Sequence, residues 1–307
     1  MRLGVIDIGT NTLLLLVAER CADGKIRPLA DICRFGRLGQ GLDASGQLHP
    51  DAIARSLVIC REFRAQLDHQ RVNKVRVIAT QALREAQNAS SFVGPAASVL
   101  GANIEVIEGT REAELAYLAQ ARSLPALAGQ PFVTADVGGG STEIIVSDGA
   151  RVVSAVSCPI GAVRLAERHL PASAGDPPSA AARTALHADI DAHLKPLELP
   201  REIPLVASAG TATNLAAIDL ALDRYDPDRV HGHELAPAKL AALSERLLTT
   251  AAAARREIVG MEAQRVDVIH AGAAIFARLA ARLATPRVII SDRGIRWGVA
   301  YEELGRL

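Results

Sequence analysis

The sequence predicts an α/β protein built as two similar lobes that face each other across a central cleft, and three observations predict it. The first is Asp136-Val137-Gly138-Gly139-Gly140-Ser141-Thr142-Glu143, which stands between the apolar runs Pro131 to Ala135 and Ile144 to Val146 and reads as a β-hairpin with a glycine tip. The second is Asp7-Ile8-Gly9-Thr10-Asn11-Thr12, set between Leu3 to Ile6 and Leu13 to Ala18 in the same design. The third is the order of strands and helices, which begins again after the second hairpin.

These turns carry a chemical meaning. Glycines let a backbone approach a ligand closely and take positive φ, so successive N–H groups can point into one concavity and bind phosphate oxygens. Asp136 and Glu143 would repel a phosphate by themselves, so their position at the two ends of the tip argues for a divalent cation between acid and phosphate. Asp7 is expected to meet Asp136 at one metal.

Composition narrows the class. A chain of 307 residues with 49% hydrophobic content can fill two ordinary cores. Its 34 basic and 34 acidic residues leave no global field for a polyanion, so such a ligand needs a local patch. Aromatic content of 3% supplies few stacking surfaces, which argues against a nucleic-acid partner. No apolar run reaches the ~20 residues of a membrane span. Cys21, Cys33, Cys60 and Cys158 show no C-x-x-C spacing and no secretory pattern precedes the first strand, so the expected compartment is the cytoplasm, without disulfides.

The remaining elements follow in order. Ile26 to Phe35 reads as a strand and Gly36 to Leu42 as a mobile glycine loop with Arg34 and Arg37 beside it. Pro50 to Gln70 has helical spacing after His49-Pro50-Asp51, Lys74 to Ala79 is a strand, and Thr80 to Arg84 starts a helix where N–H groups, Thr80 and Arg84 can serve an anion. Asn103 to Ile107 is a strand, and the next helix begins near Thr110, read as its N-cap, with Glu112 in the first turn. The loops around Ser123 and Pro131 suggest a boundary, giving domains 1–122 and 123–307, with the last helix packing back on the first lobe.

In the second half, Ala150 to Ser157 is a strand, Gly161 leads into a helix over Ala162 to His169, and Pro171 to Ser179 is a surface loop. A helix over Ala180 to Leu197 precedes a strand at Ile203 to Ala207, which runs into a small turn with Gly210 and Thr211 where phosphate ligands lodge in α/β sheets, and a helix to Leu222. Asp226 to Glu234 is a polar loop whose His231-Gly232-His233 lacks the further ligands zinc needs. Two long Ala-rich helices, Ala236 to Ala254 and Ala263 to Ala284, lead to the strand Pro286 to Ser291, the turn Asp292-Arg293-Gly294 and a closing helix, Ile295 to Leu304.

With these motifs in this order, nearly the whole chain resembles the exopolyphosphatase and guanosine pentaphosphate phosphohydrolase family. The resemblance implies two ribonuclease-H-like lobes of the sugar-kinase and actin-like ATPase superfamily. It implies phosphate loops at Asp7 to Thr12 (Gly9, Thr10, Asn11, Thr12) and at Gly138 to Thr142, a catalytic Glu112, and magnesium or manganese associated with Asp136 and Glu143, to which the paired hairpins add Asp7. Arg84 and Arg293 are candidates for charge stabilisation. Two positions depart from the family pattern: Arg111 stands where many relatives carry an acid, and Trp297 stands for the Glu of a closing Arg-Gly-x-Arg-Glu-Gly segment.

The activity implied is release of terminal phosphate from polyphosphate, of short chains in particular, by an enzyme expected to be a homodimer. Hydrolysis of guanosine pentaphosphate is the alternative. An actin-like ATPase or small-molecule kinase, or a non-catalytic phosphate sensor, completes the range. No lysine P-loop, G-x-G-x-x-G fingerprint or nucleophilic Ser/His/Asp set competes.

Overall fold

The computed structural model describes residues 1–305, so the last positions of the second expected domain, which runs to 307, lie outside the described residues. The chain divides into two compact units, Met1–Ala119 with Ile295–Leu307, and Gln120–Gly294.

The chain opens with strands β1 (Arg2–Ile8), β2 (Leu13–Arg20) and β3 (Ile26–Arg34), followed by α1 (Leu42–Ser45) and α2 (Pro50–His69). Pro50 begins α2, and His49 Nδ1 accepts from Asp51 N at 3.2 Å, a proline-first helix start with a side-chain cap. Then come β4 (Lys74–Ala79), α3 (Gln81–Glu85), α4 (Ser90–Leu100), β5 (Ile104–Val106) and α5 (Gly109–Ser123). Periodicity missed α4 because Gly94 and Pro95 interrupt it; packing decides instead, with Phe92, Ala96 and Leu100 buried at four-residue intervals on the side where α4 meets α2. Thr110 is not the cap expected of it: α5 begins at Gly109, and Glu112 N donates to Glu108 O at 3.0 Å, which leaves Glu112 in the first turn.

The second unit carries β6 (Phe132–Val137), β7 (Thr142–Ser147), β8 (Val152–Cys158), α6 (Ala162–His169), α7 (Ala180–Leu194), β9 (Leu205–Ser208), α8 (Ala209–Asp219), α9 (Pro227–Val230), β10 (Glu234–Leu235), α10 (Pro237–Thr249), α11 (Ala252–Arg256), α12 (Ile269–Leu283) and β11 (Val288–Ile290). Helix α13 (Ile295–Gly305) returns to the first unit and packs on β1, β2 and β3. Helix α7 stops three residues short of the expected end: Lys195 still has helical backbone angles, and Pro196 has no N–H with which to continue the ladder.

The two long Ala-rich helices are shorter and interrupted, and one buried cation explains where. The Arg255 guanidinium donates to Leu247 O at 3.0 Å, Thr250 O at 2.8 Å and Val266 O at 3.2 Å. Carbonyls spent on a side chain are lost to a helical ladder, so α10 ends at Thr249 and α12 starts only at Ile269. The polar His-Gly-His loop also has structure. Its backbone exchanges bonds with the last strand, Gly232 N to Ile290 O and Ile290 N to His233 O, both 2.8 Å.

Both units repeat one topology. The first sheet runs β3-β2-β1-β4-β5, with β1 antiparallel to β2 and parallel to β4. In the second, β8-β7-β6-β9-β11 repeats that order and those directions, and β10 is added beyond β11. Each unit is thus a ribonuclease-H-like lobe: a three-stranded meander extended by parallel strands that helical crossovers connect. Each buries its own apolar cluster, around Phe63 and Phe92 in the first unit and around Phe276, Val133 and Val137 of β6 and Leu205 of β9 in the second.

His270, on α12 inside the second core, is 2% exposed, and its Nδ1 has no hydrogen-bond partner among the described residues. Burial, with Arg255 adding to it, pushes its imidazole from 6.5 down to about 3. The unfolded chain therefore takes up a proton near 6.5 that the folded protein refuses until about 3, so stability falls as pH drops through that window. The loss at pH 5 is on the order of 2 kcal/mol, about 1.4 kcal/mol per unit below the unfolded pKa. Urea titrations at pH 7 and pH 5 check this: His270→Leu should lose less stability than the wild type by that amount, and equal losses would contradict it.

Candidate active site

In the first unit, the β1–β2 turn is closed by Gly9 N donating to Thr12 O at 2.9 Å. The glycine loop after β3 then binds its carbonyls: Gly39 N donates to Thr10 O and Arg37 N to Asn11 O, each at 2.9 Å. In a trans peptide the N–H points opposite to the C=O. Pinning these two carbonyls therefore turns the N–H groups of Asn11 and Thr12 the other way. Thr10 and Asn11 are buried, and Thr10 Oγ1 donates to Gln81 Oε1 at 3.1 Å, which ties the loop to the first turn of α3.

Thr80 follows β4 and caps α3, buried, with its N–H donated to Ile8 O at 3.2 Å. One turn on, Arg84 Nη1 donates to Ile107 O at 2.6 Å and lies 3.7 Å from Glu112 Oε2. That links the α3 arginine to both the approach and the first turn of α5. Arg84 and Glu112 are therefore neighbours, a carboxylate held beside a guanidinium.

The second unit builds its loop by the same rule. Gly138 N donates to Ser141 O at 3.0 Å, matching Gly9 and Thr12. The start of α6 supplies the carbonyl clamps: Ala162 N donates to Gly138 O at 2.9 Å, and Val163 N and Arg164 N to Gly139 O at 2.8 and 3.0 Å. Arg164 Nε adds a bond to Gly140 O at 2.9 Å. With three successive carbonyls turned to α6, the N–H groups of Gly139, Gly140 and Ser141 face away from it, an arrangement suited to phosphate oxygens. Thr142 Oγ1 donates to Ile160 O at 2.6 Å and anchors the far side.

The expected positive φ is not what demands glycine here, since Gly9, Gly138, Gly139 and Gly140 stay outside the left-handed region. Space demands glycine at the neighbouring position 161. A Cβ on Gly161 would lie 2.5 Å from the carbonyl carbon and oxygen of Gly139, so the α6 entry and the loop touch backbone to backbone.

At the β9–α8 junction, Ala209 is held at φ 70°, where a side chain costs about 1–3 kcal/mol. The following Gly210 is covered by the guanidinium of Arg265, which fills the space a Cβ would need. Thr211 is buried with its side chain against Gly272 of α12, so its backbone N–H is what it can offer a ligand. In the turn after β11, Ser291 Oγ accepts from Arg293 N at 3.1 Å and Gln120 Nε2 donates to Arg293 O at 3.1 Å. Beside it, His231 Nε2 donates to Ser123 O at 3.1 Å and Nδ1 accepts from Asp292 N at 3.4 Å; burial holds this imidazole below its ordinary pKa, hence neutral.

The acids are buried: Asp7 8% exposed, Glu112 8%, Asp136 9% and Glu143 1%. Asp136 and Glu143 are direct cross-strand partners, so their side chains leave the same face of the sheet. Ser157 Oγ donates to Glu143 Oε1 at 2.7 Å. Among the described residues no group of three or more His, Cys, Asp or Glu forms a metal cluster. Two carboxylates completed by substrate phosphate oxygens suit magnesium, which is commonly bound that way, so the donor set fits.

Sequence reasoning missed Arg164 and Arg265. Arg164 follows the Gly161 turn but reaches the loop only through the fold of α6. Arg265 lies in a stretch whose composition reads as helix interior, and nothing in the spacing signals its place over Gly210.

Two mixed α/β lobes with glycine turns and buried strand-end carboxylates define a phosphate-handling protein, and the chain belongs to the Ppx/GppA phosphatase family, whose pattern matches residues 17–307. It is 35% identical to exopolyphosphatase 2 of Mycobacterium tuberculosis, covering 99% of both chains. Among solved structures it is similar to the Aquifex aeolicus Ppx/GppA family member, with a TM-score of 0.84 and 31% identity over 100% of this chain and 98% of that one. An exopolyphosphatase from Cytophaga hutchinsonii gives a TM-score of 0.90 and 26% identity over 100% and 99%.

The two glycine contacts separate loop integrity from ligand contact. Gly161→Ala presses on backbone that cannot yield, and should lower the melting temperature by several degrees, as expected for about 1–3 kcal/mol of overpacking. Gly210→Ala meets only the far end of the Arg265 side chain, and should leave the melting temperature nearly unchanged while weakening phosphate binding. Thermal melts with phosphate titrations check both; the opposite ranking would contradict this reading.

Proposed function

We propose that the chain is an exopolyphosphatase that hydrolyses the terminal phosphate of inorganic polyphosphate, with short chains preferred. The observation that carries this is the twin arrangement of clamped carbonyls and turned N–H groups at Gly9 to Thr12 and Gly138 to Thr142, accompanied by buried acids at the same strand ends. The exopolyphosphatase names of the relatives support the substrate class.

Glu112 takes the part of general base. Its carboxylate orients a water and receives its proton as the water oxygen attacks the terminal phosphorus. The bond from that phosphorus to the bridging oxygen breaks, and the electron pair leaves with the shortened chain. Backbone N–H groups of the two loops, of Gly210 and of Thr211 bind phosphate oxygens together with the Thr80 hydroxyl, since the Thr80 N–H is held by Ile8 O, and Arg84, Arg293 and Arg265 balance their charge. Asp136 and Glu143, with Asp7 as the corresponding acid of the first unit, are the residues that would hold magnesium or manganese, which neutralises phosphate charge when bound.

Short chains follow from the arginines. Arg34 is engaged by Glu62 and Arg111 by Glu302 and Glu114, so two of the cations available to a long polyanion are already spent. A homodimer is the expected assembly, and one that joined two basic patches into a single channel would overturn the short-chain preference. The cytoplasm belongs to the proposal too, since all four cysteines are free, and no nucleic acid or membrane is expected as a partner. No helix among the described residues is long and apolar enough to cross a membrane.

Glu112→Gln should keep the fold and phosphate binding and lower turnover about 10²-fold or more. Wild-type turnover in the purified variant would refute the role. Asp136→Asn should raise the metal concentration needed for half-maximal activity, which a magnesium titration reads; an unchanged titration curve would remove Asp136 from the metal set. Cleavage of short chains is expected to be distributive rather than processive, and partial digests resolved on a gel test it: a descending ladder of intermediates is expected, and full-length chains vanishing without intermediates would rule it out. Guanosine pentaphosphate cleaved faster than polyphosphate would replace the proposal with the alternative phosphohydrolase.

A further inference from the structure

Arg111 sits directly beside Glu112 in the first turn of α5, and it does not face a ligand. Its Nη2 lies 2.5 Å from Glu302 Oε2 and its Nη1 3.0 Å from Glu114 Oε2. Glu302 belongs to α13, and α13 is an unusually well-fixed place from which to hold another helix. Arg296 gives Asp31 two parallel bonds at 2.9 Å, and Trp297 Nε1 donates to the same carboxylate at 3.2 Å. Bidentate guanidinium pairs fix orientation as well as distance. At the next position, Gly298 abuts the backbone carbonyl of Leu115 so closely that a Cβ could not be fitted, which sets the crossing of α13 and α5 three residues from Glu112.

We propose that Glu302 is a positioning residue for Glu112, acting through Arg111. The crossing at Gly298 and Leu115 fixes where α5 lies, and the Glu302–Arg111 pair fixes how its first turn is rotated. Arg84, bonded to Ile107 O just before that turn, holds its other side. A carboxylate that must present an oxygen to a water tolerates little displacement, since errors near 1 Å can cost about 10²-fold in rate. The pair is partly exposed, with side chains 35% and 19% accessible, so its worth to global stability is small while its effect on local geometry is direct. Trp297 and Arg111, the two departures from the family pattern, thus both serve the α13 anchorage in this chain.

The kinetic arm of the test rests on the exopolyphosphatase reading. Glu302→Gln is expected to lower kcat on short polyphosphate about tenfold, with KM within twofold and the melting temperature within a few degrees of wild type. Arg111→Glu should fall similarly, and the exchanged pair Arg111→Glu with Glu302→Arg should recover most of the loss. Unchanged kcat in Glu302→Gln, a change confined to KM, or no recovery in the exchanged pair would overturn the proposal. Amide hydrogen exchange over residues 108–114 supplies a second readout that needs no turnover: exchange should quicken in Glu302→Gln, and unaltered protection would overturn the proposal. If the wild-type protein released no phosphate from polyphosphate, the functional reading would fall and the exchange measurement would still decide this one.

Discussion

Four carboxylates kept out of water are the constraint on which the rest depends. Asp7, Glu112, Asp136 and Glu143 are each less than a tenth exposed. Burying an ionised carboxylate is costly unless a cation or hydrogen-bond donors answer it. The fold answers with local devices: Arg84 beside Glu112 and the Ser157 hydroxyl on Glu143. Asp136 and Glu143 are placed opposite each other across one antiparallel pair, concentrating negative charge where the adjoining N–H groups concentrate positive potential. Such a juxtaposition is poor for stability alone and well suited to a metal-bearing phosphate chain.

The two phosphate-type turns illustrate how a fold aims a backbone. A glycine turn has no inherent direction; what directs it is a second element that takes the carbonyls. In the first unit that element is the Gly36 to Gly41 loop, and in the second it is the N-terminal turn of α6 with the Arg164 side chain. Different elements thus solve the same problem in lobes of identical strand order. The solution in the second unit consumes the first N–H groups of α6, so the loop, not the helix terminus, keeps N–H groups to offer an anion.

Much of this was legible in the sequence because it is local. Asp7 to Thr12 and Asp136 to Glu143 carry the same strand, acid, glycine and hydroxyl order, and the repeated topology follows from that resemblance. What escaped was non-local. Helix α4 is held by packing on α2 against its own glycine and proline; the breaks around α11 are made by one buried guanidinium; Arg265 reaches Gly210 from more than 50 residues away along the chain. The positive φ expected of the loop glycines is not found, and the need for glycine at position 161, where α6 enters against the loop backbone, could be seen only in three dimensions. Arg111 shows the same limit: in the sequence it is only a base where many relatives carry an acid, and its partner 191 positions away makes it a tether.

The central claim is that water, oriented by Glu112, attacks the terminal phosphorus of a polyphosphate chain. Its most direct test is turnover of short polyphosphate in ¹⁸O-labelled water, followed by mass analysis of both products. Attack at the terminal phosphorus predicts one labelled oxygen in each released phosphate and none in the shortened chain. Label appearing in the chain, or no phosphate released without a nucleotide acceptor, would contradict it.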